Sequence, residues 1–391
     1  MSALDRAASI DDLRRLAARR LPRFVMSYLE GGSGDGATVR RNVEAFRRYT
    51  FTPRVLGGPA PVDTASELFG QTFDLPFGIS AVGSCGVYRR HADEMLADVA
   101  KAANIPFILS GTANASVETI ARRAPDHTWY QLYGAREPDL TDAMVGRAAA
   151  AGVRVLVFTV DYQVAPRSDV SVRTGVSLAL GPTLQAIPRL AMDALSHPAW
   201  TAEFVRHGGA PKLAGWEAYA PPNSSAGQIA RVFGARWLGP QTWRDVARLR
   251  ALWPGALVIK GVVHPEDAAR AFEEGADAVT VSNHGGNKLD RMPATLESLI
   301  AVRSAVGPKR KLFFDGGLRR GSDIVTAAAL GADFCFTGRA TVYGVSAGGV
   351  PGAARAVTIL REELAYCLAM IGRPGMKALG PDIFFSAVTA E

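Results

Sequence analysis

The chain has 391 residues, 48% of them hydrophobic and 21% charged, an ordinary globular composition long enough for one large α/β domain or two smaller ones. A net charge of +7 suits anionic ligands, nucleic acid or an acidic membrane surface and separates none of these. No Lys/Arg block with interleaved aromatics is present, so a solvated basic surface is preferred to nucleic-acid binding.

Cys85, Cys335 and Cys367 show no paired spacing, so neither a disulfide framework nor a zinc site is expected, and no metal is assigned. Cys335 and Cys367 lie in apolar runs, as packing residues do. Met1-Ser2-Ala3-Leu4-Asp5-Arg6 has no apolar signal core, and no apolar run is long enough to span a bilayer. The default expectation is a reducing, cytoplasmic setting.

Residues 9–30 read as helices. Leu13, Leu16 and Leu21 follow Asp11-Asp12 at helical spacing, Pro22 restarts the pattern, and Phe24, Val25, Tyr28 and Leu29 share one face. Tyr28 is either a core-edge tyrosine or a hydroxyl aimed into a site. Gly31-Gly32-Ser33-Gly34 ends this helix.

From residue 75 the chain becomes rhythmic. Apolar runs recur at 77–82, 106–110, 129–133, 155–161, 257–263, 278–283, 312–316 and 334–338. Helical stretches separate them at 91–103, 116–123, 139–151, 241–253, 265–274, 294–306 and 321–330, with a last one at 353–371. Gly152, Gly275 and Gly331 stand where a left-handed helix cap would feed the next strand. Runs that are apolar throughout suit parallel strands buried on both faces. Eight such strand-helix units predict a closed (β/α)8 TIM barrel spanning 1–391 as one domain. The alternative, a doubly wound open sheet, lacks its usual Gly-x-Gly-x-x-Gly turn here.

One interval breaks the rhythm: residues 164–243 stand where a single helix would suffice. An insertion there lies over the C-terminal mouth and reads as a lid or subdomain. Its 178–195 portion is amphipathic and suits peripheral membrane contact, the less favoured reading.

Strand ends of a barrel share one mouth and can be read together. They are Ala81-Val82-Gly83, Ser110, Gln131 with Tyr133, Thr159 with Asp161, Lys260, Ser282-Asn283-His284, Asp315-Gly316-Gly317 with Arg319, and Gly338-Arg339. Gly317 and Gly338 expose backbone N–H groups beside Arg319 and Arg339, the parts of a phosphate site after strands 7 and 8. Lys260 ends a buried run. It either pairs with Asp315 or holds an anionic heterocycle, and the second is favoured by Gln131, Thr159 and Ser110. Asp161 and His284 form an acid-base couple. The other five histidines (His91, His127, His197, His207 and His264) lack such company and are read as solvated.

Together these residues resemble the FMN-dependent 2-hydroxy acid oxidases and dehydrogenases, which include glycolate oxidase, L-lactate dehydrogenase and mandelate dehydrogenase. The resemblance runs from Leu21-Pro22 and Tyr28 through Gln131-Leu132-Tyr133, Thr159-Val160-Asp161 and Ile259-Lys260-Gly261. It continues through Ser282-Asn283-His284-Gly285-Gly286 and Asp315-Gly316-Gly317 to Gly338-Arg339. It implies a (β/α)8 barrel holding non-covalent FMN, a homotetramer, a small-molecule substrate and an electron acceptor such as oxygen, a quinone or a protein. Ser110, Gln131, Thr159 and Lys260 would contact the flavin ring, with Ala81, Val82, Gly83, Ser282, Asp315 and Gly316 around it. Gly317, Arg319, Gly338 and Arg339 would hold its phosphate. His284 would be the base, Asp161 would stabilise its imidazolium, and Tyr28 and Tyr133 would bind substrate.

Three departures stand out. The family carries an arginine three residues after the histidine and another seven after the strand-4 aspartate. Here those positions are Asn287, followed by Lys288, and Ser168, preceded by Arg167. The strand-1 turn, usually with Pro, reads Ala81-Val82-Gly83. Either Arg167 and Lys288 take over the substrate carboxylate, or the flavin machinery serves a larger or non-carboxylate alcohol or amine. The peptide-modifying mycofactocin-maturation branch looks similar at Asn287. Gly83, where family oxidases often carry Ala, leans toward an acceptor other than oxygen. Two rival classes, a flavin-free phosphate-binding barrel enzyme and a non-catalytic scaffold, leave Lys260, Gln131, Asp161 and His284 coincidental.

Overall fold

The structure is a computed structural model that describes residues 2–56, 61–164, 169–177, 181–236, 239 and 241–385. The eight apolar runs form eight parallel strands. They are β1 (Phe77–Ile79), β2 (Phe107–Leu109), β3 (Thr128–Leu132), β4 (Val155–Thr159), β5 (Ala256–Val262), β6 (Ala278–Val281), β7 (Lys311–Asp315) and β8 (Phe334–Thr337). They pair in sequence order and close, β8 on β1, into a barrel.

The strands look uniformly apolar, yet their two parities do different work. Val155 and Val157 of β4, Ile108 of β2, Val258 of β5 and Phe313 of β7 pack with one another inside the barrel. Leu156 and Phe158, Phe107 and Leu109, Leu257 and Ile259, and Phe314 pack outward against the helices. Period-2 alternation of side chains along a strand produces both faces. Continuing the inward parity toward the C-terminal ends leads to Ser110, Gln131, Thr159, Lys260, Thr280, Ser282 and Asp315, all buried. The polar layer at the mouth is thus the inward face of the same strands, one step past the apolar interior.

Helices follow the strands as expected: α4 (Ala92–Ala102), α5 (Val117–Arg123), α6 (Pro138–Ala150), α12 (Trp243–Leu252), α13 (Pro265–Glu273), α14 (Thr295–Val306) and α15 (Gly321–Ala329). Gly152, Gly275 and Gly331 adopt φ of 80°, 91° and 113°, the left-handed exits their positions announced. The last helix differs from expectation. It starts at once after β8 and runs Arg339–Met370 (α16), kinked at Gly348 and Gly349 ahead of Pro351. The glycines and proline that masked its first turns in the sequence make the kink.

N-terminal helices α1 (Ile10–Arg20) and α2 (Arg23–Glu30) lead into α3 (Ala37–Glu44), which the sequence reading did not assign. A hairpin, Ser66–Leu68 against Gln71–Phe73, was likewise unassigned. Its Leu68 and Phe73 pack with Trp129, Val155 and Phe334 near the strand starts, closing the barrel at the end opposite the mouth. Within the interval 164–243 stand α7 (Asp169–Thr174), α8 (Ile187–Leu195), α9 (Pro198–Arg206), α10 (Ala214–Glu217) and α11 (Ala226–Arg236), with a short hairpin, Val176–Ser177 against Gly181–Pro182.

Candidate active site

A cavity of about 440 Å³ opens at the C-terminal mouth, within the range of small-molecule sites. Tyr28, Ala81, Val82, Gly83, Tyr133, Lys260, His284, Asn287 and Lys288 line it on one side. Asp315, Gly316, Gly317, Arg319, Gly338 and Arg339 line the rest of the expected set. Ser110, Gln131, Thr159, Ser282 and Asp161 are not among its lining residues, though Ser282 and Asp161 bond directly to Lys260 and His284, which are. Arg167 and Ser168 lie outside the described residues.

His284 sits on a left-handed turn. Its φ is 55°, a costly value for a residue with a Cβ, and Gly285 and Gly286 follow at 61° and 79°, which glycine adopts freely. Asn283 ties the turn down. Its Oδ1 accepts from the Gly286 N–H at 3.1 Å and from Asn42 Nδ2 at 2.8 Å, while its own Nδ2 donates to Asn42 Oδ1 at 2.9 Å. Asn42 Oδ1 also accepts from the Thr295 N–H at 3.0 Å, so α3 and α14 both clamp the histidine turn. A Cβ at Gly286 would meet the Val39 nitrogen at 2.7 Å, which is how closely α3 approaches.

The imidazole is held from both edges. Nδ1 lies 3.0 Å from each Asp161 oxygen, and the Tyr133 hydroxyl lies 3.3 Å from Nε2. Burial drives the His284 pKa down to about 4, against the pull of Asp161. Burial alone would raise Asp161, but His284 and Lys260 outweigh it and hold the carboxyl below its ordinary value. The resting pair is therefore a carboxylate and a neutral imidazole. Its Nδ1–H donates to Asp161, which leaves the Nε2 lone pair facing Tyr133 and the cavity.

Next to His284, Lys260 Nζ bridges Asp315 Oδ2 at 2.8 Å and Ser282 Oγ at 3.0 Å, and Ser282 Oγ also accepts from the His284 N–H at 3.1 Å. The pairing with Asp315, set second in the sequence reading, is present. Two of the three ammonium donors are used, and the lysine still lines the cavity.

The site fits a polar heterocycle with an anionic tail. Gln131 Oε1 accepts from Ser110 Oγ at 3.2 Å and the Gly111 N–H at 3.1 Å, leaving Nε2 without a partner. Thr159 Oγ1 and Asp315 Oδ1 are also buried without partners. Such groups are costly unless something bonds them. At the other end, Arg319 and Arg339 flank the start of α16, where a helix N-terminus favours an anion. Neither forms a salt bridge among the described residues. Arg339 donates instead to carbonyls of Leu29 (2.8 Å), Gly31 (2.7 Å) and Gly285 (2.8 Å), and burial, then repulsion from Arg319, lowers its pKa. The sequence suggests a phosphate ligand in Arg339; in the structure the residue ties the end of α2 to the histidine turn. Gly317, with φ of 82°, lies so close to α3 that a Cβ there would stand 2.1 Å from the Asn42 carbonyl oxygen.

These features belong to a known architecture. The family model for FMN-dependent dehydrogenases matches residues 17–386. The chain belongs to the FMN-dependent dehydrogenase family. It is 34% identical to (S)-mandelate dehydrogenase of Pseudomonas putida, over 96% of this chain and 93% of that one. It is 33% identical to an L-lactate dehydrogenase of Chromohalobacter salexigens, over 95% and 93%. Among solved structures, the monotopic membrane protein (S)-mandelate dehydrogenase superposes with a TM-score of 0.91 at 34% identity, covering 97% of this chain and 99% of that one. A mandelate oxidase bound to benzoyl-formic acid gives 0.80 at 28% identity, covering 95% and 96%. The chain is accordingly an FMN-dependent oxidoreductase of the group acting on CH–OH, and no described helix is long and apolar enough to cross a membrane.

Several site residues escaped the sequence reading. Thr112 continues the inward parity of Ser110 and had that signal; Tyr162 directly follows Asp161. Leu213 and Phe233 enter the cavity from the 164–243 interval, where no periodicity marks them. Asn42 lay in an unassigned segment. Of the histidines read as solvated, His127 and His197 are partly buried, and His264 caps α13 by accepting from the Glu266 N–H at 3.3 Å.

Proposed function

We propose that the protein oxidises a 2-hydroxy acid with an apolar or aryl side chain to the 2-oxo acid. The observation that carries this reading is the His284–Asp161 pair. A neutral Nε2 faces a cavity walled by Val82, Tyr162, Leu213 and Phe233. The named relatives act on mandelate and lactate, which supports the class.

Bound FMN supplies the two-electron acceptor. Gln131 Nε2, Thr159 and Lys260 would hold its ring. Gly317, Arg319, Gly338 and the start of α16 would hold its phosphate, with Arg339 steadying that end. Tyr28 and Tyr133 orient the substrate, and Asn287 borders it. His284 Nε2 takes the substrate proton, and Asp161 stabilises the imidazolium through Nδ1, a general-base arrangement. Tyr133, 3.3 Å from Nε2, keeps the base aligned.

The electron acceptor we infer is not oxygen. Gly83 supports this: it stands where family oxidases often carry Ala, and a Cβ there would meet Thr112 Oγ1 at 2.2 Å unless that hydroxyl turned aside. A quinone or protein acceptor at the inner face of a membrane agrees with the insertion. α8 has no buried residue, and Leu184, Met192 and Leu195 are 85%, 74% and 73% exposed. Residues 178–180 of the amphipathic stretch lie outside the described set. The insertion also reaches the cavity through Val170, Leu213 and Phe233, which supports a lid-like element at 164–243 within one domain. A cytoplasmic homotetramer completes the proposal, supported by family resemblance and by three unpaired cysteines.

The test is anaerobic mixing of the yellow enzyme with a panel of 2-hydroxy acids, amino acids and neutral alcohols. Bleaching of the flavin by 2-hydroxy acids is expected. Bleaching only by amines or neutral alcohols would overturn the substrate class.

A further inference from the structure

Lys288 stands four residues past the base, on the lip of the same cavity. Its Nζ lies 3.6 Å from the centre of the Tyr162 ring. Tyr162 packs 5.3 Å from Tyr133, whose hydroxyl meets His284 Nε2 at 3.3 Å. The ammonium therefore borders the space where the substrate must lie. Among the described residues it has no hydrogen-bond acceptor and no carboxylate within 4 Å. Next to it, the Asn287 side-chain amide lines the cavity with no hydrogen bond of its own there. A cation drawn out of bulk water onto an aromatic face, without an anion, is an incomplete arrangement.

We infer that Lys288 is the cation that recognises the substrate carboxylate in this chain, and that Asn287 beside it donates a second, neutral hydrogen bond. The inference rests on the proposed oxidation of a 2-hydroxy acid and deepens it. Relative to a guanidinium, the ammonium is a point charge without a bidentate fork. It binds one carboxylate oxygen and leaves the other to a neutral donor, which Asn287 supplies.

The groups acting on Lys288 are Asp161 and Tyr162 beyond β4, Lys260 on β5 and His284 on its own loop. Burial pulls the Lys288 pKa down to about 7, Lys260 pushes the same way, and Asp161 opposes both. In the free site the ammonium is thus partly deprotonated near neutrality, and a bound carboxylate restores its charge. Affinity for carboxylates should fall about tenfold per pH unit above that value, while affinity for uncharged analogues should not.

The experiment measures benzoylformate binding to the FMN-loaded enzyme by calorimetry from pH 6 to 9, since that carboxylate cannot be oxidised at its keto carbon. Anaerobic flavin reduction by (S)-mandelate and by its amide accompanies it. Lys288→Met is expected to weaken benzoylformate and raise the mandelate KM by roughly 10- to 100-fold, with the amide changed less than about twofold. Lys288→Arg is expected to restore binding and flatten its pH dependence, which a merely structural role would not do. Unchanged binding in Lys288→Met, equal losses for acid and amide, or the loss appearing in Arg167→Ala instead would overturn the inference. Lys288-dependent benzoylformate binding without flavin reduction by any 2-hydroxy acid would sustain it while removing the proposed oxidation.

Discussion

Asp161 decides what His284 can do. Burial holds the imidazole at about 4, so the base is neutral and competent above that pH and lost below it. For a 2-hydroxy acid, kcat/KM should rise with pH through about 4, hold, and fall again above about 7 as Lys288 loses its proton. Asp161→Asn removes the opposing pull, so the rising limb should move to lower pH. The imidazolium would then form without its partner, and kcat should fall roughly 100- to 10,000-fold. A pH–rate profile of the variant checks both effects. The couple was legible in the sequence because His284 and Asp161 share the inward parity of their strands. The Asn283–Asn42 clamp was not: an amide pair joining residues 241 apart leaves no local pattern.

The element that sequence periodicity missed is α3, and it has an external cap. Gly36 precedes it with no side chain to offer. Asp290, four residues past Gly286, accepts from the backbone N–H groups of Thr38 at 2.8 Å, Asp35 at 3.0 Å and Ala37 at 3.3 Å. Burial would raise its pKa, but hydrogen bonds from the backbones of Thr38, Arg291 and Ala37 hold it at about 2. A depressed carboxylate stabilises the fold above its ordinary pKa of 3.8 and loses that contribution as pH falls toward 2. Asp290→Asn should therefore lower stability by about 1 kcal/mol at pH 7 and much less near pH 2, as urea denaturation at the two pH values would show. Since α3 clamps the histidine turn, flavin reduction should slow as well. The 66–73 hairpin was unreadable for a related reason: strands of three residues are too short for alternation to register.

At the scale of the molecule, the barrel was readable because eight buried parallel strands must be apolar on both faces, and Gly152, Gly275 and Gly331 mark three of the helix exits. The insertion was not, since no period marks the residues, Leu213 and Phe233, that it brings to the cavity. Its exposed Met192 and Leu195 share α8 with Arg189, and exposed Leu184 precedes that helix, a combination that suits an anionic bilayer. Changing Met192 and Leu195 to Ser should cut co-sedimentation with anionic vesicles at least severalfold while leaving the FMN spectrum and mandelate reduction unchanged; equal sedimentation would remove the membrane role.

The proposed reaction rests on His284 acting as base beside bound FMN. Anaerobic stopped-flow mixing of His284→Ala with (S)-mandelate, against the unaltered enzyme, probes this directly. The variant is expected to keep its FMN spectrum and bind benzoylformate, while flavin reduction slows by at least about 100-fold at every pH. Reduction at the unaltered rate, with the flavin still bound, would contradict it.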